Sequence, residues 1–471
     1  MKSFSSQWSD HFSSQRFNPA ALARWVESLG GLLAIAIFVV VNGGLMVAGG
    51  GKILNVLYPA TALIVGLILY PRRDTLYLGF VWWIMFLSPF VRRVADWKAV
   101  WTDPSPILLA PSLVIFVSLL TMVRFLPRMK PQETLPFLVC LVPVCYAFLI
   151  GILKNPPIEV LVATLNWFSP LLLGFHIFTQ YRQYPAYQHS MKRIFVWGSL
   201  VMGSYGIAQY VVAPPWDCSW MINTEINTNG IPQPFGIRVY STLNSPQPFA
   251  CAIKAGLLIL LEQIGPISLV ASGVGYLSFL LSSARSAWVS WAMSLVTYFT
   301  LLKASAQVKL VAWVTFAATL VMPLLVSEPF ATVIQDRLKS FQDIKGDTSY
   351  DDRITTFNSA FDASIFEFVG NGIGKDAFAG DHGILSMLYS LGWVGMLTYM
   401  AGLFLAFYKL LRCQGKWKST SIALFTSIAL GTVQQIISNM AIIGVLGCIM
   451  WGFIGIALAG DRYHEWRSRE L

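Results

Sequence analysis

The side chain best suited to proton-transfer chemistry in this chain is His382, which ends a long polar segment and directly precedes an apolar run. A histidine has an ordinary pKa near neutrality, which suits a general base. A structural alternative is that His382 is only an interfacial polar residue, with Asp381 capping the helix that follows. The other four histidines fall in segments predicted to be cytoplasmic, or near the cytoplasmic end of a span: His11, His176, His189 and His464.

Three arginines could bind an anion near His382. Arg285 lies at the junction between two apolar runs, while Arg238 and Arg353 lie in polar segments. A guanidinium binds phosphate through two hydrogen bonds and keeps its charge, so convergent arginines would suit a pyrophosphate group. The alternatives are lipid anchoring for any of the three, and an ordinary surface ion pair with a neighbouring aspartate for Arg353.

A glycine-rich stretch, residues 370–375 (GNGIGK), looks like a phosphate-binding loop but fails as one. Its first glycine is one position too close to the lysine, and Asp376 replaces the usual Ser or Thr. We interpret this stretch as a tight turn that returns the chain to the membrane. The six cysteines show no CxxC spacing, so the sequence predicts no metal site and no cofactor.

The elements that must position these residues are membrane-spanning helices. The 471 residues are 55% hydrophobic and 12% charged, whereas soluble domains carry about 25% charged residues. Apolar runs of about 20 residues recur, and a backbone in lipid must satisfy its own hydrogen bonds. We therefore predict an all-α polytopic membrane protein, a bundle of about 12–14 transmembrane helices with a long, partly helical extracytoplasmic loop.

Hydropathy divides the chain into segments of alternating character. We predict a cytoplasmic leader at 1–30, transmembrane helices at 31–213, 248–327 and 384–459, outer loops at 214–247 and 328–383, and a cytoplasmic tail at 460–471. Fourteen spans are predicted, at about 31–48, 53–70, 75–91, 107–123, 135–153, 158–178, 194–213, 248–263, 266–282, 286–302, 308–327, 384–408, 419–438 and 440–459. The short pairs 248–263/266–282 and 419–438/440–459 could instead be re-entrant or broken.

The positive-inside rule orients this bundle with both termini in the cytoplasm, because most Lys and Arg near span ends then lie inside. Arg92, Arg93 and Lys98 contradict that orientation locally. The net charge of +10 does not indicate nucleic-acid binding, because the chain has no basic run of five or more residues. Membrane lipids are the expected surroundings.

Four segments together resemble the O-antigen ligase and O-antigen polymerase superfamily of the bacterial cell envelope. Residues 238–247 (RVYSTLNSPQ) are similar to its R-x-x-G-T-x-x-x-P-N segment, with Ser241 and Gln247 at the usual Gly and Asn. Residues 283–288 (SARSAW) resemble its S-R-x-x-W junction. Arg353-Ile354 with the 370–374 glycines is similar to R-L … G-x-G-x-G. The spacing from His382 to Gly392 and Gly395 matches H-[NSQ]-x9-G-x-x-[GTY], although glycine occupies position 383.

The resemblance implies metal-independent glycosyl transfer on the outer face of the bacterial cytoplasmic membrane. The donor would be a glycan on undecaprenyl diphosphate, and the acceptor a hydroxyl of lipid A-core or of another glycan. It implies His382 as the general base and Arg285 and Arg353 as ligands of the pyrophosphate, with Arg238 beside them. Asp381, Gly392 and Gly395 would support the site.

Two alternatives stay open at the level of sequence. A ligase and a repeat-unit polymerase differ only in the acceptor, which these segments do not distinguish. Some members of the superfamily are instead assigned to bicarbonate or other solute transport. A transporter would carry polar or ionisable residues along a path through its spans, and few acidic residues fall deep within the predicted spans.

Overall fold

The computed structural model describes residues 19–72, 75–224, 229–263, 265–326, 357–359, 361–375, 383–417, 419–437 and 439–470. The described chain is built from helices: α1 (Pro19–Val47), α2 (Gly51–Leu69), α3 (Thr75–Lys98), α4 (Ala110–Phe116), α5 (Leu119–Phe125), α6 (Pro131–Lys154), α7 (Pro157–Thr179), α8 (Tyr184–Val212), α9 (Pro215–Thr224), α10 (Pro246–Leu260), α11 (Pro266–Leu281), α12 (Arg285–Leu301), α13 (Ala304–Val326), α14 (Gly383–Trp417), α15 (Thr420–Gln434) and α16 (Gly444–Glu470).

An all-α polytopic membrane architecture is confirmed for the described residues. Among them, ten helical stretches are long and apolar enough to cross a membrane: 29–47, 51–69, 75–98, 106–128, 131–154, 157–179, 181–212, 383–413, 420–437 and 444–470. The predicted spans at 194–213, 384–408 and 440–459 fall largely within longer helices, and the last of these helices begins at Gly444. Most of the predicted loop at 328–383 lies outside the described residues.

The predicted spans 248–263 and 266–282 form the short helices α10 and α11. They have 15 and 16 residues, so each is about 22–24 Å long at 1.5 Å per residue. A bilayer core is about 30 Å thick, which makes this pair shorter than a full crossing. Both helices pack against the long helix α8, and α10 also contacts α12, α15 and α16. Helix α10 is buried along most of its length, whereas the first turns of α11 are exposed.

Helix α14 is interrupted at Gly392, the glycine of the family-like spacing. Its backbone has φ 67° and ψ 175°, a conformation available essentially to glycine alone. The break leaves backbone groups without helical partners, and the segment before α14 supplies them. The Trp393 N–H donates to Glu367 O at 3.0 Å, and the Tyr389 carbonyl accepts from the Asn371 N–H at 2.8 Å. The break and the glycine-rich segment therefore form one unit.

The glycine-rich segment has a structural role at this break. Gly370, Gly372 and Gly374 all have positive φ, at 83°, 77° and 111°. A Cβ at Gly372 would lie 2.3 Å from the Gly151 backbone nitrogen, so the segment touches α6 directly. The Ile373 N–H donates to the Ala147 carbonyl of α6 at 3.1 Å. The backbone N–H groups of residues 371–373 donate to carbonyls of the protein, as expected of a structural turn rather than of a phosphate-binding loop.

Replacing Gly392 with alanine should therefore destabilise the protein. A Cβ at this position would meet Phe368 O at 2.4 Å, in a backbone region that costs about 1–3 kcal/mol for other residues. We expect the free energy of unfolding in detergent micelles to fall by about 2 kcal/mol. Gly79→Ala is the matched control, because a Cβ there would contact only Ile194, at 3.9 Å. Equal stability of the two variants would contradict the prediction.

Candidate functional site

The family-like segment 238–247 is anchored by a buried ion pair. Arg93 of α3 forms a salt bridge of 3.0 Å with Asp217 of α9, and both side chains are completely buried. Arg93 also donates to the Ser241 carbonyl and lies over the Tyr240 ring at 4.8 Å. Asp217 accepts two further hydrogen bonds, from the Tyr205 hydroxyl at 2.7 Å and from the Gln209 amide at 2.8 Å. One charged cluster thus holds α9 and the 238–247 segment against α3 and α8.

Ser241 stands where the family pattern has glycine, and its backbone explains that preference. Its φ is 51°, in the left-handed region that glycine adopts most readily. In this chain, hydrogen bonds hold the serine there. Its Oγ donates to Met202 O at 2.6 Å and its N–H donates to Gln209 Oε1 at 2.8 Å. The position therefore shapes the loop, and its side chain is turned into the protein.

The arginines that contradicted the positive-inside rule are neutralised locally. Arg92 pairs with Asp96 and with Asp103, each at 3.2 Å, and its guanidinium lies 5.1 Å from the Trp101 ring centroid and 4.7 Å from that of Trp220. The positive-inside rule concerns cations near span ends. Arg92 and Arg93 lie near the end of α3, so they still count against the predicted orientation although each is paired with an aspartate.

Arg238 and Arg285 lie at the same end of the bundle, the end at which α10 and α12 begin, which we call the site end. Arg238 donates to the Ser283 carbonyl at 3.1 Å, two residues before Arg285. The Val239 N–H donates to the Leu281 carbonyl at 3.2 Å, which aligns the loop with the α11–α12 junction. Both arginines are partly exposed. Two of the four family-like segments are therefore in direct contact.

A group of polar side chains links these segments to α15 and to the start of α14. We call Gln247, Ser286, Gln435 and Asn439 the site network. Ser286 Oγ donates to Gln247 Oε1 at 3.1 Å, and the Gln247 amide donates to Gln435 Oε1. The Gln435 amide donates to the Ser286 carbonyl at 2.6 Å, and Asn439 Nδ2 lies 3.4 Å from Gln435 Oε1. Gln435 is completely buried at the centre of the network.

Gly383 begins α14 directly against this network. A Cβ at position 383 would lie 2.0 Å from the Asn439 carbonyl oxygen and 2.3 Å from that of Ile436. No side chain fits at that distance. The glycine that departs from the family pattern is thus explained by the close approach of two backbones. It also brings the start of the His382–Gly395 segment beside the segments that hold Gln247 and Arg285.

The site end also collects three helix N-termini. Helix α10 begins at Pro246, α12 at Arg285 and α14 at Gly383, and the site network connects their first turns. A helix N-terminus carries about half a positive charge and unpaired N–H groups, which favour anions. Arg285 adds a cation to such a terminus, where its charge opposes the helix dipole. The C-terminal ends of α11 and α15 lie at the same end of the bundle, so Arg238 and Arg285 are what make the arrangement suited to an anionic ligand.

A cavity of about 220 Å³ lies beside the same loop. Asn244 and Pro248 line it from the family-like segment and the start of α10, Asn166 lines it from α7, and Gly444 from the start of α16. The remaining lining is mainly apolar side chains of α3 and α4. The cavity could hold a small group that packs against the apolar side chains and forms hydrogen bonds with the amides of Asn166 and Asn244.

Only part of the predicted site can be located in the described structure. Arg238 and Arg285 lie together at the site end, while Gly392 and Gly395 lie within α14. Gly395 packs against Pro143 of α6, where a Cβ would lie 3.4 Å from the proline Cβ. His382, Asp381 and Arg353 lie outside the described residues, so their predicted roles stay predictions.

A buried lysine that the sequence-based predictions did not include lies below the site network. Lys254 lies in α10, is completely buried, and donates to Ser290 Oγ at 2.8 Å and to Thr432 Oγ1 at 3.1 Å. At the opposite end of the same helices, Glu262 pairs with Lys192 at 2.5 Å and accepts from the Tyr298 hydroxyl. The sequence does contain a signal for this residue, a lysine inside an apolar run. Charged residues within membrane spans are rare and often functional.

The described residues contain no group of three or more His, Cys, Asp and Glu side chains that could hold a metal ion. A scan against protein-family models and a search of the curated proteins found no match to this chain. Its function is therefore inferred from the contacts at the site end and from the resemblance of its four segments.

Proposed function

We propose that this chain is a membrane glycosyltransferase of the O-antigen ligase or polymerase type. It transfers a glycan from an undecaprenyl-diphosphate-linked donor to an acceptor hydroxyl. In this reaction the acceptor oxygen bonds to the anomeric carbon as the bond from that carbon to the diphosphate breaks. The lipid diphosphate leaves with the bonding electrons, and His382 takes the proton of the acceptor hydroxyl. Neither step requires a cofactor or a metal ion.

The observation that carries the proposal is the meeting of three family-like segments at one point. Gln247, Ser286 and the start of α14 at Gly383 are separate in sequence but are joined by the site network. Because His382 directly precedes Gly383 in the chain, a base and an anion-binding arginine can act on one substrate there. Positioned groups of this kind are what a two-substrate transfer needs.

The electrostatics of the site end support a diphosphate leaving group. As that group departs, negative charge develops on its oxygens and must be stabilised by fixed donors. Three helix N-termini and the guanidinium groups of Arg238 and Arg285 supply positive charge there. Arg353, the second pyrophosphate ligand implied by the resemblance, is part of the proposal.

We place the site end on the extracytoplasmic face of the bacterial inner membrane, with both termini in the cytoplasm. The support for this orientation is that most Lys and Arg near the predicted span ends then lie in the cytoplasm, whereas Arg92, Arg93 and Lys98 oppose it. The 328–383 segment would then be an extracytoplasmic loop. Phe357 and Phe361, whose rings stack at 6.0 Å, are both exposed and would rest in the lipid headgroup region.

Transport of a small solute is a second candidate, favoured by polar groups that the structure brings together inside the bundle. Lys254 with Ser290, and Lys192 with Glu262, follow one another along α10 and its neighbours. Close packing opposes a path through them, because a Cβ at Gly431 would lie 1.9 Å from Ser294 Oγ. Uptake of labelled bicarbonate into proteoliposomes without a lipid-linked donor would support transport over transfer.

The enzyme proposal predicts that His382→Ala and Arg285→Ala each lower the transfer rate about 100-fold or more. General-base catalysis and oxyanion stabilisation are each worth about that much. The measurement uses purified protein in lipid nanodiscs, a lipid-linked glycan donor, and either a lipid A-core or a second lipid-linked glycan as acceptor. The preferred acceptor separates ligase from polymerase.

The matched control is His189→Ala, because His189 is an exposed histidine in the first turns of α8. It should retain the transfer rate of the unaltered protein. Full transfer by both the His382 and the Arg285 variants would overturn the site assignment. An unaltered protein that transfers glycan to neither acceptor would overturn the proposed function itself.

A further inference from the structure

Lys254 is a charged residue in the middle of the bundle, and its contacts join three helices. It lies on α10, while its acceptors Ser290 and Thr432 lie on α12 and α15. These are the helices whose site-end residues form most of the site network: Gln247 on α10, Ser286 on α12, and Gln435 directly after α15. Lys254 therefore holds together the framework on which the network is built.

The two acceptors cannot neutralise the lysine. The Ser290 hydroxyl donates its own proton to the Gly431 carbonyl, and the Thr432 hydroxyl donates to the Ile428 carbonyl at 2.8 Å. Each hydroxyl oxygen therefore only accepts from the lysine. Among the described residues no carboxylate forms a salt bridge with Lys254. A positive charge at this depth is costly unless an anion lies near it.

The place for that anion is the site network, which lies one to two helical turns from the residues around the lysine. Ser290 follows Ser286 by four residues on α12, which corresponds to a rise of about 6 Å. Gln247 precedes Lys254 by seven residues, and so lies on the same face of α10 two turns away. The lysine thus sits beneath the network and beneath the three helix N-termini that converge there.

We propose that Lys254 supplies positive charge to the site from inside the membrane and makes it selective for a diphosphate lipid over less charged lipids. This inference rests on the proposed function, because it concerns the headgroup of the same donor. Lys254 is a positioning and specificity residue and does not itself touch the reacting atoms. A unit charge about 10 Å away, at an effective dielectric constant of about 20, changes the affinity roughly tenfold for each negative charge of the ligand.

The test measures equilibrium binding of three lipids to the full chain in nanodiscs: a polyprenyl diphosphate, the polyprenyl monophosphate and the uncharged polyprenol. Lys254→Met keeps the length of the side chain and removes its charge. We expect binding of the diphosphate to weaken by more than about tenfold, with a smaller loss for the monophosphate and no change for the polyprenol. Lys254→Arg keeps the charge and should retain most of the preference for the diphosphate.

A matched pair of serines on α12 keeps the test decisive if the methionine variant does not fold. Ser290 and Ser294 are both completely buried, but only Ser290 contacts Lys254. Ser290→Ala should weaken diphosphate binding about threefold, and Ser294→Ala should leave it unchanged. Equal effects of the two serine variants would overturn the proposal.

The remaining outcomes separate this inference from the proposed function. An equal loss for all three lipids in Lys254→Met would mean that the lysine only supports packing, and would overturn the inference. Unchanged selectivity in that variant would overturn it as well, while leaving the proposed function intact. If the unaltered protein does not prefer the diphosphate over the polyprenol, the proposed function and the inference both fail.

Discussion

Arg93→Met is expected to lower the free energy of unfolding by about 3–5 kcal/mol, because it leaves Asp217 charged and completely buried without its cation. The Tyr205 and Gln209 donors remain, but neither carries a positive charge. The Ser241 carbonyl also loses its bond to the guanidinium. We therefore expect segment 238–247 to lose its anchor and glycan transfer to fall with stability. The measurement is reversible unfolding in mixed micelles.

A double variant separates two causes of the lost stability, the unpaired buried charge of Asp217 and the lost packing of Arg93. Arg93→Met combined with Asp217→Asn removes both charges and keeps an oxygen that accepts from Tyr205. It should recover a large part of the stability lost in Arg93→Met alone, because the penalty comes mainly from one unpaired buried charge. Arg193→Met, at an exposed position of α8, is the control and should change stability by no more than about 0.5 kcal/mol. Additive losses in the double variant would contradict this account of the pair.

Gly383→Asn is expected to be strongly harmful, although it restores a residue of the family pattern. Any Cβ at position 383 would lie 2.0 Å from the Asn439 carbonyl oxygen, and a backbone atom cannot move aside as a flexible side chain can. Overpacking costs about 1–3 kcal/mol, and we expect the upper end of that range, about 3 kcal/mol. Gly383→Ala should show nearly the same loss, because the clash arises at the Cβ.

The transfer rate should fall as well, because α14 and the proposed base that precedes it would be displaced from the site network. Transfer rate and unfolding are measured on the same nanodisc and micelle samples. Gly43→Ala in α1 is the matched control, because a Cβ there would meet nothing within 4 Å. If Gly383→Asn were as stable and as active as the unaltered protein, the close approach of α14 to residues 436–439 would be wrong.

Several positions of the family-like segments determine the conformation of the backbone rather than the chemistry of the site. The glycines at 370, 372 and 374 and at 392 form the break in α14 and the segment that completes its hydrogen bonds. Ser241 occupies a left-handed position where the pattern has glycine. These positions constrain the backbone, whereas Arg238, Arg285, Arg353 and His382 within the same segments are the candidates for chemistry.

The sequence by itself determined the helical membrane architecture, because apolar runs of about 20 residues can satisfy their backbone in lipid only as helices. Which polar residues face one another was decided by the tertiary structure. Gln247 and Gln435 are separated by 188 residues, and Lys254 and Thr432 by 178. Local pattern can assign a residue to a helix, but its partner depends on how each helix is rotated and packed against the others. Only that packing brings Arg285 and the start of α14 together at one end of the bundle, with a buried lysine beneath them.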